Sequence, residues 1–254
     1  MNYEHDLNKT QSNRAKLLQN KNLLYWYEIL FKYQFKDIID LGKKGILEIG
    51  SGTSPIKLFY PQIMTSDVLN LDYLDYIFDC HEIDKFNLIP DASIDIITMT
   101  NVLHHLRKPM DFFLKASNKL KPEGMIIITE PFFSCLSYLI YNYVHHEPVD
   151  LKIKKPELDQ TNGPLSSANP ALPHLIFFSD RSWKTKLRQK YDIDNCTIDY
   201  FGSISYFITG GISYRFPIPH RVYKLISKFD LYLSRLFPDF FASFFILRMK
   251  KVKV

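Results

Sequence analysis

The chain has 254 residues, 46% of them hydrophobic, enough for the core of one domain with elaborations and too many for a disordered chain. Against 27 Asp and Glu stand 32 Lys and Arg, a net charge of +5 spread along the chain rather than gathered in a stripe, so no nucleic-acid partner is implied. Cys80, Cys135 and Cys196 have neither the even number of a disulfide framework nor zinc-site spacing, so no metal is expected. The polar N-terminus lacks a signal-peptide core and no run of about 18 apolar residues occurs, which points to a cytoplasmic protein that does not span a membrane.

Residues 1–12 are polar and read as a mobile terminus. From Arg14 to Ile39, Leu17, Leu23, Trp26, Tyr27, Leu30 and Phe31 recur at helical spacing, so residues 1–40 are expected to form a helical cap. The run Ile46–Ile49 carries Glu48 and breaks into Gly50-Ser51-Gly52, a buried strand entering a tight turn against which a nucleotide can lie. The dinucleotide pattern would need a third glycine where Pro55 stands. A short helix within 54–60 and a strand over 62–66 lead to Asp67, placed to accept hydrogen bonds from both hydroxyls of a ribose. The link from Val68 to Asp75 is too short for an ordinary helical crossover before a third strand at 76–78 and Asp79-Cys80. A fourth strand, 94–100, runs into Asn101-Val102-Leu103-His104-His105-Leu106. An amphipathic helix over 109–120 and a fifth strand over 125–129, ending in Glu130-Pro131, complete an alternation that favours a mostly parallel sheet.

Glu48 two residues before Gly50-Ser51-Gly52, then Asp67, Asp79-Cys80 and the Asn101–Leu106 string, resemble in order the class I S-adenosylmethionine (SAM) methyltransferases, in the small-molecule, type 11-like branch. The resemblance covers residues 45–131. It implies a Rossmann-like, doubly wound α/β fold whose mostly parallel seven-stranded sheet ends in an antiparallel strand. It further implies that Glu48, Gly50, Ser51 and Gly52 hold the methionine end and ribose of SAM, Asp67 the ribose hydroxyls, Asp79 and Cys80 the adenine, and Asn101, Val102 and His104 the underside of the methionine moiety. Ser54 departs from the pattern, standing where many relatives carry glycine.

On this reading the core comprises 41–131, 179–201 and 241–254, with a helix over 181–190 and strands over 193–200 and 243–250. The stretches 132–178 and 202–240 are then insertions on the substrate side. The first is apolar on nearly every face and ends in His145-His146-Glu147-Pro148. An oxygen acceptor needs a base nearby, so His105, His146 and Glu130 are the candidate catalytic groups, with His145, Glu147 and Asn169 of the 162–173 loop on the substrate side. The Glu130-Pro131 and His-His-Glu-Pro blocks, the G-P-L-S-S-A-N segment and Gly210-Gly211 resemble a bacterial subgroup of the class. The second insertion sets Lys224, Lys228 and Arg235 on one helical face among many aromatic residues, either as a lid packed on the core or as a peripheral contact with an anionic membrane.

The expected function is methyl transfer from SAM to a small hydrophobic or lipid-linked acceptor; the sequence does not indicate an oligomeric state. A nicotinamide-dependent oxidoreductase is disfavoured by the missing third glycine and by the lack of a Tyr-x-x-x-Lys near the site. A non-catalytic module of the same fold is disfavoured by the intact acids at 48, 67 and 79.

Overall fold

A computed structural model of the chain describes residues 3–143, 149–158, 162–179, 181–213 and 216–252. Among these residues seven strands form: β1 (Ile46–Ile49), β2 (Met64–Asp67), β3 (Tyr76–Ile77), β4 (Ile94–Thr100), β5 (Leu120–Pro131), β6 (Tyr191–Gly202) and β7 (Ala242–Lys251), with branched residues dominating the central β1 and β4. They pair into one sheet in the order β3-β2-β1-β4-β5-β7-β6. The first five strands are parallel, and β7 runs antiparallel to both β5 and β6. All four residues of β1 are buried, as expected of a central strand covered on both faces.

Successive residues of a strand face opposite sides, and here they feed two cores. Leu47, Ile97 and Met99 join Phe112 and Phe113 of α4 (Pro109–Lys119) on one face. Ile46, Ile96, Ile127 and Phe244 join Trp26, Leu30 and Phe31 of α2 (Lys21–Gln34) on the other. The order reverses between β1 and β4, and the crevice beyond the strand ends at such a point is where α/β sheets bind ligands.

The N-terminus differs from expectation. Residues Tyr3–Leu18 form a helix, α1, and Asp6 and Thr10 are buried rather than mobile. Tyr3, Asp6, Thr10 and Leu17 share a face by helical spacing, and the Asp6 carboxylate accepts bonds from Leu165 N (3.0 Å), Ser166 N (3.3 Å) and Ser166 Oγ (2.6 Å). A polar face is thus buried because a neighbouring loop satisfies it.

The remaining helices are α3 (Ile56–Phe59), α5 (Cys135–Tyr143), α6 (Ala171–His174), α7 (Arg181–Leu187), α8 (Ile204–Ile208), α9 (His220–Leu236) and α10 (Pro238–Phe241). The short α3 and the loop between β2 and β3 leave the crevice roofed by α1 and by the loop around Gly163. No helix among the described residues is long and apolar enough to cross a membrane.

Candidate active site

The turn after β1 is built by its glycines. Gly50 has φ +70, and a Cβ there would lie 2.4 Å from a methyl of Val102, so only glycine fits both the backbone and the close approach. At Gly52 a Cβ would meet Thr10 of α1 at 2.9 Å and Asp67 Oδ2 at 3.0 Å. The Gly52 N–H donates to Asp67 Oδ2 (2.9 Å) and the Leu69 N–H to Asp67 Oδ1 (3.0 Å). Burial raises the Asp67 pKa while these backbone donors oppose the rise. These donors hold the Asp67 carboxylate in place where it lines the cavity.

Behind the turn, Glu48 is fully buried. Its Oε1 accepts from Ser54 Oγ (2.7 Å), so the serine that replaces a glycine is itself a partner of the strand acid. Burial raises the Glu48 pKa to about 7, against the opposing pull of Ser51, Ser54 and Arg14. Arg14, which donates to the Ser54 carbonyl, also stacks 4.1 Å from the ring centre of Tyr73.

After β3, Asp79 Oδ1 accepts from His81 N (2.9 Å) and contacts His81 Nδ1 (2.7 Å). The Lys108 N–H donates to His81 Nε2 (3.2 Å), which places the imidazole proton on Nδ1, facing Asp79. The His81 bond holds the Asp79 carboxyl below its usual range. Asp79, Cys80 and His81 put three potential metal donors within 4.8 Å, but burial pushes the Cys80 thiol far up and the His81 nitrogens are engaged, so the donors suit a structured loop better than a metal.

The loop after β4 is held from below. Glu130, at the end of β5, has no exposed surface; its Oε1 accepts from Val102 N (2.8 Å) and Leu103 N (2.6 Å), and its Oε2 meets His104 Nδ1 (2.6 Å). Asn101 sits at φ +56, a conformation asparagine tolerates better than most residues, and its buried Oδ1 has no partner. The Nδ1 of His105 meets the Ser167 carbonyl (2.8 Å). A carbonyl only accepts, so Nδ1 carries a proton.

These segments enclose one cavity of about 430 Å³, within the size range of small-molecule sites. Of the residues singled out in the sequence, Gly50, Gly52, Asp67, Asp79, Cys80, Asn101, Val102 and His105 line it. Glu48, Ser51, His104 and Glu130 do not; they sit behind the lining. Glu130, a candidate base, lies behind the lining with its carboxylate engaged by Val102 N, Leu103 N and His104 Nδ1, contacts that fix the 102–104 backbone. Asn169 is buried and does not line the cavity, its Oδ1 accepting from Asp150 N (3.2 Å) and Ala171 N (3.0 Å). His145, His146 and Glu147 lie outside the described residues. Missed in the sequence were Tyr3 and Thr10 of α1 and Arg107; they line the wall together with Tyr27 of the expected N-terminal helices and the 163–165 part of the loop expected on the substrate side. The spacing of Tyr3, Asp6 and Thr10 was the available signal.

A family profile described as a methyltransferase domain matches residues 26–195, two thirds of the chain. The chain belongs to the methyltransferase domain family. It is a SAM-dependent methyltransferase. No curated protein matches it. Among solved structures, a SAM-dependent methyltransferase of Thermotoga maritima, described as a possible histamine N-methyltransferase, shares the fold at TM-score 0.52 and 11% identity over 95% of this chain and 99% of its own. A SAM-dependent methyltransferase of Archaeoglobus fulgidus aligns at TM-score 0.48 and 18% identity over 88% and 94%. The phosphoethanolamine N-methyltransferase 2 of Haemonchus contortus aligns at 0.43 and 12% over 95% and 60%. The methyltransferase's own residues fit the cofactor: an unpartnered buried acceptor at Asn101, a glycine turn with no room for side chains, and two carboxylates on one cavity wall.

Proposed function

We propose that this methyltransferase acts on a small hydrophobic acceptor, in particular one carried on a lipid, at the cytoplasmic face of a membrane that it contacts peripherally. The observation that carries the site assignment is the convergence of Gly50, Gly52, Asp67, Asp79 and Asn101 on one cavity. Asp67 takes the ribose hydroxyls, Asp79 and the Cys80 backbone the adenine edge, and Asn101 and Val102 the methionine moiety, with Glu48 and Ser51 shaping the turn from behind. When bound, SAM supplies an electrophilic methyl group on a sulfonium.

The protein's remaining task is alignment, exclusion of water and removal of a proton. Alignment alone supplies about 7–11 kcal/mol when the reacting atoms are held in line. Tyr27, Val102, Leu106 and Leu165 give the cavity an apolar wall, which supports an acceptor with an apolar body. His105, which lines the cavity and is oriented by the Ser167 carbonyl, is the group that takes the acceptor's proton. His104 and Glu130 position the loop that carries it. The insertion histidines His145 and His146, with Glu147, belong to the acceptor side of the same proposal.

The test is mass spectrometry of lipid and water-soluble extracts from cells with and without the active enzyme, searching for pairs separated by ~14 Da, the mass of one added methylene. A pair in the lipid extract is the expected result. Pairs confined to water-soluble metabolites would sink the lipid-linked acceptor.

A further inference from the structure

The helix α9 turns a largely polar strip inward and leaves an apolar stripe exposed. Its buried residues, Tyr223, Ser227, Asp230 and Ser234, include three polar groups, all satisfied. Asp230 accepts from Ser205 N (2.8 Å), Ser205 Oγ (2.6 Å) and Ile204 N (3.1 Å), and Ser234 Oγ donates to Asp230 O (2.8 Å) and Phe241 O (3.1 Å). Its outer face is the apolar one: Val222, Leu225, Phe229, Tyr232 and Leu236 are all exposed, Leu225 at 68%, Phe229 at 62% and Tyr232 at 61%. Their spacing of three, four, three and four residues is one stripe, about 80° wide at 100° per residue, along a helix of about 25 Å. Phe237 and Phe240, at and beyond its end, are exposed too. A contiguous apolar face of this kind on a protein surface marks an interaction site.

The charge beside the stripe says what covers it. Arg221, Lys224, Lys228 and Arg235 are exposed along one flank, and the helix's single acid, Asp230, is buried. Two of these cations are steadied over rings of α2, Lys224 above Tyr25 (4.8 Å) and Arg235 above Tyr33 (4.6 Å). Between Tyr33 and the helix lies a groove of about 420 Å³ bordered by Lys228, Arg235 and Tyr232, with no acid on its wall. An apolar stripe with cations along its flank matches the interface of an anionic bilayer, acyl region under the stripe and phosphates beside it. Laid antiparallel on a second copy, such helices would set their cationic flanks side by side.

The position is also suitable. Pairing of Pro131 with Phe244 places the start of β7, and with it α10, at the carboxyl end of β5, the end of the sheet that holds the cavity. The short helix α10 packs on α5, where Tyr138 and Leu139 are exposed.

We infer that the exposed face of α9, continued by Phe237 and Phe240, docks the protein on an anionic phospholipid surface, the stripe entering the interface and Arg221 and Lys228 meeting the phosphates. Docking rests on the proposed lipid-linked acceptor only for its purpose; as binding, it stands alone.

The test is sedimentation with vesicles of phosphatidylcholine and of phosphatidylcholine mixed with phosphatidylglycerol. The protein is expected to sediment with the anionic vesicles and to be released by salt. Leu225→Ser combined with Phe229→Ser should lower partitioning by about tenfold or more. Lys228→Gln should lower it about fivefold. Leu88→Ser, at an exposed apolar residue outside this surface, should leave it unchanged. SAM titration of each variant reports that the fold is intact. No sedimentation of the wild type with anionic vesicles, or equal sedimentation of the Leu225/Phe229 variant, overturns the inference; so does a concentration-dependent dimer that Phe229→Ser abolishes in the absence of vesicle binding. Docking without methylated lipids would sink the acceptor assignment and leave the surface standing, whereas lipid methylation by an enzyme that never binds vesicles would do the reverse.

Discussion

Replacing Glu48 with glutamine should remove a loss of stability that the ligand-free protein suffers as pH rises towards neutrality. Burial raises the Glu48 pKa from 4.5 to about 7, and its Oε2 has no hydrogen-bond partner. The folded protein therefore keeps a proton that the unfolded chain has already released. The resulting stability is complete below about pH 4.5 and is lost as pH rises through about 7. At 1.36 kcal/mol per pH unit, a gap of about 2.5 units amounts to about 3 kcal/mol. Glutamine carries no titrating group, so urea unfolding of Glu48→Gln and wild type across pH 4–8 should give curves that diverge by roughly this amount over the window. Burial raises the Asp67 pKa too, and that residue is present in both proteins. Parallel curves would refute the reasoning.

Gly50→Ala should cost about 2–5 kcal/mol, from the left-handed backbone and the overlap with Val102. Adding Val102→Ala should return the overlap part and leave about 1–2 kcal/mol relative to Val102→Ala alone, measured by urea unfolding. Glu130→Ala strands Val102 N and Leu103 N and should destabilise by about 2–4 kcal/mol, whereas Glu130→Gln retains an acceptor and should cost less in the same assay. Asp6→Ala releases the 165–166 segment from α1, costing about 1–3 kcal/mol and weakening SAM affinity in calorimetric titration.

The centre of the sheet was legible in the sequence because β1, β4 and the second half of β5 are runs of branched residues bounded by turns. Ile94–Thr100 and the parallel alternation through Pro131 needed nothing else. Gly50 and Asp67 stood out because a nucleotide crevice calls for a side-chain-free turn and an acid at a strand end, and Asp79 through the resemblance; all three line the cavity. What stayed hidden depends on partners distant in sequence. The polar face of α1 looks like a mobile terminus until the 165–166 backbone satisfies Asp6. An acid at a strand end can be a base or a clamp, and the three contacts on Glu130 come from residues distant in sequence. Periodicity marked α9 as amphipathic, but the usual assumption that the apolar face turns inward fails there, since Ser205 and Phe241 draw the polar face in.

The central claim is that this cavity is a SAM site. Calorimetric titration of the full chain with SAM, its demethylated product and NAD tests it most directly. Binding of SAM and of the demethylated product, weakened by Asp67→Ala and without detectable NAD binding, is the predicted result. Binding of NAD with no binding of SAM would contradict the account.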